Sequence, residues 1–156
     1  MSTPVLPVPW PDETPGYSSL PVSGDDGLPH AFLLDVGGVV YRLTLGISFT
    51  DPSFVLSSSF AATLFDLPDP DRGLYLTLRV ESENQPDATR LVGVQRIVPD
   101  LPLRFGPLRV RFSRMKIAQP NLSGPGQFGS ELIGEVAVAK CLTLCRARPA
   151  SARVSR

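Results

Sequence analysis

Gly37-Gly38 separates two runs of alternating apolar residues, and this feature constrains the fold more than any other in the chain. Downstream, Val39, Tyr41, Leu43, Leu45, Ile47 and Phe49 alternate with Val40, Arg42, Thr44, Gly46 and Ser48. Period two marks a strand with one buried face, because successive side chains point to opposite sides of a sheet. Two adjacent glycines supply the positive φ angles that a two-residue hairpin turn requires. A turn at this point pairs Val36 with Val39, Leu34 with Tyr41 and Phe32 with Leu43, with all six on one face. A one-residue slip would send half of them to the other side. The agreement of turn and pattern therefore predicts a hairpin over residues 31–36 and 39–49.

The arrangement recurs at Gly106-Pro107. Leu101, Leu103 and Phe105 precede the turn, and Leu108, Val110 and Phe112 follow it. A tight turn again puts all six on one face, with Pro102 suiting an edge strand or a strand start. Residues 74–81 alternate with Leu74, Leu76, Leu78 and Val80 inward and Tyr75, Thr77, Arg79 and Glu81 outward. Residues 54–65 are strand-like, with Phe54, Leu56, Ser58, Phe60, Ala62 and Leu64 on one parity and room for a helical turn; residues 90–98 form a further β segment. A last one spans residues 131–144, with Val136, Val138, Leu142 and Leu144 on one parity. The stretch from Leu67 to Gly73 is a turn, the polar run from Ser82 to Thr89 a loop, and residues 119–129 a mobile Pro/Gly-rich loop. With 17 prolines and 13 glycines there is little room for long helices. The expected fold is all-β, an antiparallel β-sandwich or barrel of about seven to eight strands behind an extended Pro-rich N-terminal arm.

The expected organisation is an arm over residues 1–29, an all-β domain over 30–145 and a basic tail over 146–156. Pro4, Pro7, Pro9, Pro11, Pro15, Pro21 and Pro29 give the arm an extended polyproline character. It also carries Val5, Leu6, Val8, Tyr17, Leu20 and the chain's single tryptophan, Trp10. A pure spacer needs no tryptophan, and aromatic anchors mark interfaces. Trp10 is thus a candidate partner-docking residue, against the plainer readings of a disordered arm or one packed on its own domain.

Composition excludes several classes of function. Formal net charge is zero, so there is no global field for nucleic acid or for acidic partners. One histidine (His30) and two cysteines (Cys141, Cys145) cannot close a zinc site or build a disulfide framework. No metal and no cofactor are expected. No run approaches membrane-spanning length, and no secretory signal is visible. Free thiols then suit a reducing compartment, and the expected location is cytoplasmic at synthesis, with incorporation into a virion or extracellular particle in view. The Asn121-Leu122-Ser123 sequon reads as a chance match.

No catalytic constellation emerges. His30 follows a proline and has no Gly-x-Ser-x-Gly companion. Asp66, Asp69 and Asp71 share a bend with Arg72 and lack the spaced ligands of a calcium loop. Glu131 and Glu135 lie on one parity of a strand, a weak signal for carboxylate catalysis. The glycines from Gly124 to Gly129 lack the Lys-Ser/Thr of a phosphate loop, and Phe128 is expected to fold back onto the core. The strongest candidate is cationic: Arg104, Arg109 and Arg111 on the outward parity of the second hairpin, followed by Arg114 and Lys116 after a bulge near Ser113. Register sets Arg104 opposite Arg109, which is unfavourable unless acidic groups face them. Those groups are carboxylates of the chain itself, an acidic protein partner or nucleic acid; no aromatics interleave to stack bases.

The expectation is a non-enzymatic structural or interaction subunit of a larger assembly, of virion, phage-tail or secretion-apparatus kind. It docks on protein partners as a homo- or hetero-oligomer through Trp10 and through Arg104, Arg109, Arg111 and Arg114. The alternatives are an oligonucleotide-binding β-barrel using the arginine strand and a small β-barrel enzyme with an unlocated carboxylate site.

Overall fold

The computed structural model describes residues 16–50 and 64–139. Among these residues nine strands run in chain order: β1 (Ser18–Ser19), β2 (His30–Val36), β3 (Val39–Phe49), β4 (Leu64–Asp66), β5 (Leu74–Ser82), β6 (Leu91–Arg96), β7 (Leu103–Phe105), β8 (Leu108–Ala118) and β9 (Glu131–Val138). All pairings are antiparallel. One sheet has the order β2-β3-β5-β6; the other has the order β1-β9-β8-β4, with β7 also paired to β8. The strand count exceeds the expected one by β1, a two-residue piece too short to show a period.

The first hairpin forms in the expected register, with Val36 opposite Val39, Leu34 opposite Tyr41 and Phe32 opposite Leu43. Gly37 and Gly38 have φ of 61° and 87°, the pair of positive angles that a type I′ turn demands. Tyr41 and Leu43 are buried, while Phe32, Leu34 and Val36 are half-buried because β2 is an edge strand. β5 alternates as expected, with Leu74, Leu76, Leu78 and Val80 fully buried. It pairs along its length with β3, and the inward leucines of the two strands lie side by side.

The second hairpin is also in register, with Leu103 opposite Val110 and Phe105 opposite Leu108 across Gly106 at φ 57°. Leu101 departs from expectation. It is 50% exposed, because the strand begins only after Pro102, at Leu103. Ser113 is the extra residue of a bulge: Phe112 faces Gly134, and the next pair is Arg114 with Ile133. The bulge shifts parity by one, so Phe112 before it and Met115 and Ile117 after it all point inward.

Leu43, Leu45, Leu76, Leu78 and Val80 of one sheet join Leu108, Val110, Phe112, Met115 and Ile117 of the other in one buried cluster. Each such side chain contributes roughly 1.5–3 kcal/mol by leaving water. Gly134 makes room in it. A Cβ there would lie 2.6 Å from the Phe112 ring.

Three further expectations are corrected. Residues 16–29, read as part of the arm, belong to the packed structure: β1 pairs with β9, and Leu20 and Leu28 join the core. Ser23 caps a 3₁₀ turn over Gly24–Asp26 through a reciprocal capping box. At Leu64 the inward residue is the next one, Phe65, and Leu64 itself is 50% exposed; residues 54–63 of that expected segment lie outside the described residues. Gln119–Ser123 is a 3₁₀ turn with Gln119, Asn121 and Leu122 buried, where a mobile loop was expected. Residues 1–15 and 140–156, with Trp10, both cysteines and the basic tail, lie outside the described residues.

Candidate interaction site

The outer face of the β8–β9 sheet gathers the predicted arginines. Arg104 on β7 sits opposite Arg109 on β8, as the register requires, with Arg104 exposed and Arg109 half-buried. Arg111 lies on the same outward parity, opposite Glu135 on β9. Its guanidinium donates to the Glu135 carboxylate at 2.6 Å and lies over the Tyr17 ring, 4.3 Å from its centroid. The hydrogen bond to Glu135, with that carboxylate's charge, holds Arg111 above its already high ordinary value, so it stays a cation. The bulge brings Arg114 and Lys116 to the same face, opposite Ile133 and Glu131. Arg114 reaches Glu131 only loosely, at 3.9 Å. Carboxylates of the chain thus face part of the patch, and Arg111 is held between an aromatic ring and an acid. The sequence marks Tyr17 only as an apolar residue of the arm, because the β1–β9 pairing is what brings it to Arg111.

The two sides where the sheets meet differ. On one, β6 and β7 close together: the Gln95 side chain donates to the Arg104 carbonyl at 2.8 Å, and Gly93 lets the Phe105 ring sit beneath β6, where a Cβ would come within 3.2 Å of it. On the other, the edge strand β2 and the β1–β9 edge enclose an open cleft of about 530 Å³. Leu34 and Val36 wall it from β2, and Val136 and Val138 from β9. Gly16 and Ala139, which end the described chain, line it as well. β1 covers β9 only at Glu135 and Val136, and Val138 is 44% exposed. Ligand sites have volumes of roughly 300–1,000 Å³ and mostly apolar walls, so the cleft has the size and chemistry of a receptor for apolar side chains.

The remaining motifs have structural roles. Asp69 accepts from the Arg72 backbone N–H, three residues on, at 3.2 Å and pairs with its guanidinium at 2.8 Å, which closes the bend. His30 stacks on Phe32 and lies 3.7 Å from Asp26. Among the described residues no group of three His, Cys, Asp or Glu side chains is placed to hold a metal, and no helix is long and apolar enough to cross a membrane. Phe128, expected in the core, is 44% exposed; its ring rests on the backbone of Gly126, in space that a Cβ there would occupy.

Asn121 is the centre of a polar clamp. It is fully buried. Its Nδ2 donates to the carbonyls of Gly124 and Gly126 at 3.2 and 3.1 Å, and its Oδ1 accepts from the Ser130 hydroxyl at 2.6 Å. Ser130 Oγ in turn accepts from the Ala118 N–H, and the Ser130 N–H donates to Asp25. The sequon asparagine therefore has both amide hydrogens engaged inside the fold.

Fold and site together define a class, an all-β chain of two antiparallel sheets with a cationic outer face and an open apolar edge. Compared with known proteins, the chain matches no family model, no curated sequence and no solved structure.

Proposed function

We propose that this chain is a non-enzymatic interaction subunit of a larger protein assembly, a β-sandwich that docks through its N-terminal arm and its arginine-bearing hairpin. The observation that carries the reading is the unequal closure of the two sheets. One side is closed by β6 and β7, while on the other, among the described residues, the edge strand β2 and the β1–β9 edge border an apolar cleft, with Gly16 in its wall. Exposed edges and apolar concavities favour pairing with another chain. Arg104, Arg109 and Arg114 flank the same sheet as polar contacts for an acidic partner surface. Nucleic acid is the poorer reading, because Glu131 and Glu135 lie among the cations and would repel phosphates.

The test is the native size of the protein at its own expression level, by gel filtration of a gentle extract. The expected result is elution far above the 16.8 kDa of the chain. Elution as a lone chain would sink the assembly reading. Arg109→Ala, compared with wild type in a salt series, separates the partner classes. Weaker protein association with intact folding fits an acidic partner, and oligonucleotide binding that falls steeply with salt fits nucleic acid.

A further inference from the structure

We propose that the cleft between β2 and β9 is the receptor for the Val8–Trp10 stretch of a second copy of this chain; the inference rests on the assembly reading and names its partner. The walls from Leu34, Val36, Val136 and Val138 are apolar and branched, so what they take is an apolar side chain with little need of polar contacts. The chain upstream of Gly16 supplies such groups in Val5, Leu6, Val8 and Trp10. Pro7, Pro9 and Pro11 interrupt the N–H groups of this stretch. It is therefore poorly suited to add to β2 as a regular ladder strand and suited to binding through side chains.

Direction favours a second copy over the chain's own cleft. β1 runs antiparallel to β9, with Ser18 opposite Val136 and Ser19 opposite Glu135. Upstream of Ser18 the chain therefore heads toward the Val138 end of β9, and Gly16 lines the cleft there beside Val138 and Ala139. In polyproline geometry the six steps from Gly16 to Trp10 span about 19 Å. Pro11 and Pro15 oppose the reversal that would bring Trp10 back. An arm that leaves its own cleft and enters a neighbour's makes the contact reciprocal, which closes a two-fold dimer.

The test uses full-length protein. Light scattering over a dilution series is read beside the emission of Trp10, the only tryptophan. Wild type is expected to associate, with Trp10 emission shifting to the blue as it does. Trp10→Ala and Val138→Arg should each weaken association by about 30-fold, the size of an interface anchor. Val138 is 44% exposed, so the charge is accommodated, and unchanged circular dichroism checks the fold. The decisive step is mixing. Trp10→Ala keeps an intact cleft and Val138→Arg an intact arm, so a mixed dimer restores one of the two reciprocal contacts and should associate more tightly than either variant alone. A mixture that stays monomeric overturns the proposal. So does a wild-type monomer with blue-shifted Trp10, which means docking in its own cleft, or one with water-exposed Trp10 at every concentration. If these fail while the native complex is large, only the second-copy inference falls; if the native protein is also a lone chain, the assembly reading falls with it.

Discussion

Replacing Asn121 with alanine tests whether the polar clamp holds the 119–130 segment to the domain. The substitution removes two donated bonds, to Gly124 and Gly126, and one accepted from Ser130. Each hydrogen bond contributes about 1 kcal/mol net, and each buried group left without a partner costs about 1–3 kcal/mol. The Gly124 and Gly126 carbonyls belong to partly exposed residues and regain water, so their loss stays near the lower figure. The Ser130 hydroxyl lies deeper, between Asn121 and the Ala118 N–H. The expected sum is about 3 kcal/mol, a large part of the roughly 5–15 kcal/mol that holds a domain folded. With a urea slope of about 1–3 kcal/mol per molar, the midpoint should fall by about 1–3 M. Far-UV circular dichroism in urea measures it. Ser123→Ala is the control: Ser123 is exposed and completes the sequon without entering the clamp, so its midpoint should not move. A loss below about 1 kcal/mol in Asn121→Ala would refute the reasoning, since one orphaned buried group costs that much.

Other expectations follow from equally local geometry. Gly134→Ala places a Cβ 2.6 Å from the fully buried Phe112 ring and should cost roughly 1–3 kcal/mol, read as a lower melting temperature; an unchanged value would mean that the ring shifts freely. Arg111→Ala removes the Glu135 ion pair and the Tyr17 contact, both partly exposed, and should cost about 0.5–2 kcal/mol, with faster amide exchange at Leu20, whose N–H donates to Gly134; uniform protection would show that Tyr17 does not tether β1. The Glu81 carboxyl is held below its usual range, chiefly by its hydrogen bond from Arg79 and against the effect of burial. Its folded value lies below its unfolded one, so its stabilisation is present above the unfolded value and is lost as pH falls through the folded one. Glu81→Gln should therefore be less stable than wild type near neutrality and converge with it in acid; a gap independent of pH in urea midpoints would contradict the assignment.

Both hairpins were legible because each joins a period-two pattern to a glycine turn, and the two signals fix the same register. The Ser113 bulge was legible for a related reason. Apolar parity changes between Phe112 and Met115, and only an extra residue restores it. Leu101 and Leu64 were misplaced because parity says which residues share a face, not where pairing starts. Pro102 and the short β4 decide that. Phe128 was misread because its support is the bare backbone of Gly126, which no apolar pattern marks. The clamp was invisible for a deeper reason: Ser130 and Asp25 lie 105 positions apart, and nothing in either neighbourhood announces the other. The arginine face was half legible. Register set Arg104 against Arg109, but the Glu135 and Tyr17 partners of Arg111 depend on which strands flank β8.

The bulge at Ser113 also governs how this chain can change length over evolutionary time. It works as a phase inverter, and downstream of it every odd position has traded places with every even one. Were Ser113 drawn into the ladder as an ordinary strand residue, Met115 and Ile117 would turn toward solvent and Arg114 and Lys116 would enter the apolar interior. Deletion of Ser113 instead leaves Arg114 opposite Ile133 and Met115 opposite Leu132 in regular alternation. Ser113 is thus a position within the strand, which ends at Ala118, where one residue can be lost with both faces kept in phase, and the exposed turn at Gly37-Gly38 can lengthen without disturbing the faces beside it. Relatives of this chain, aligned by structure, should therefore vary in residue count between Leu108 and Ile117 at the Ser113 position, where a one-residue loss removes the bulge and keeps the faces.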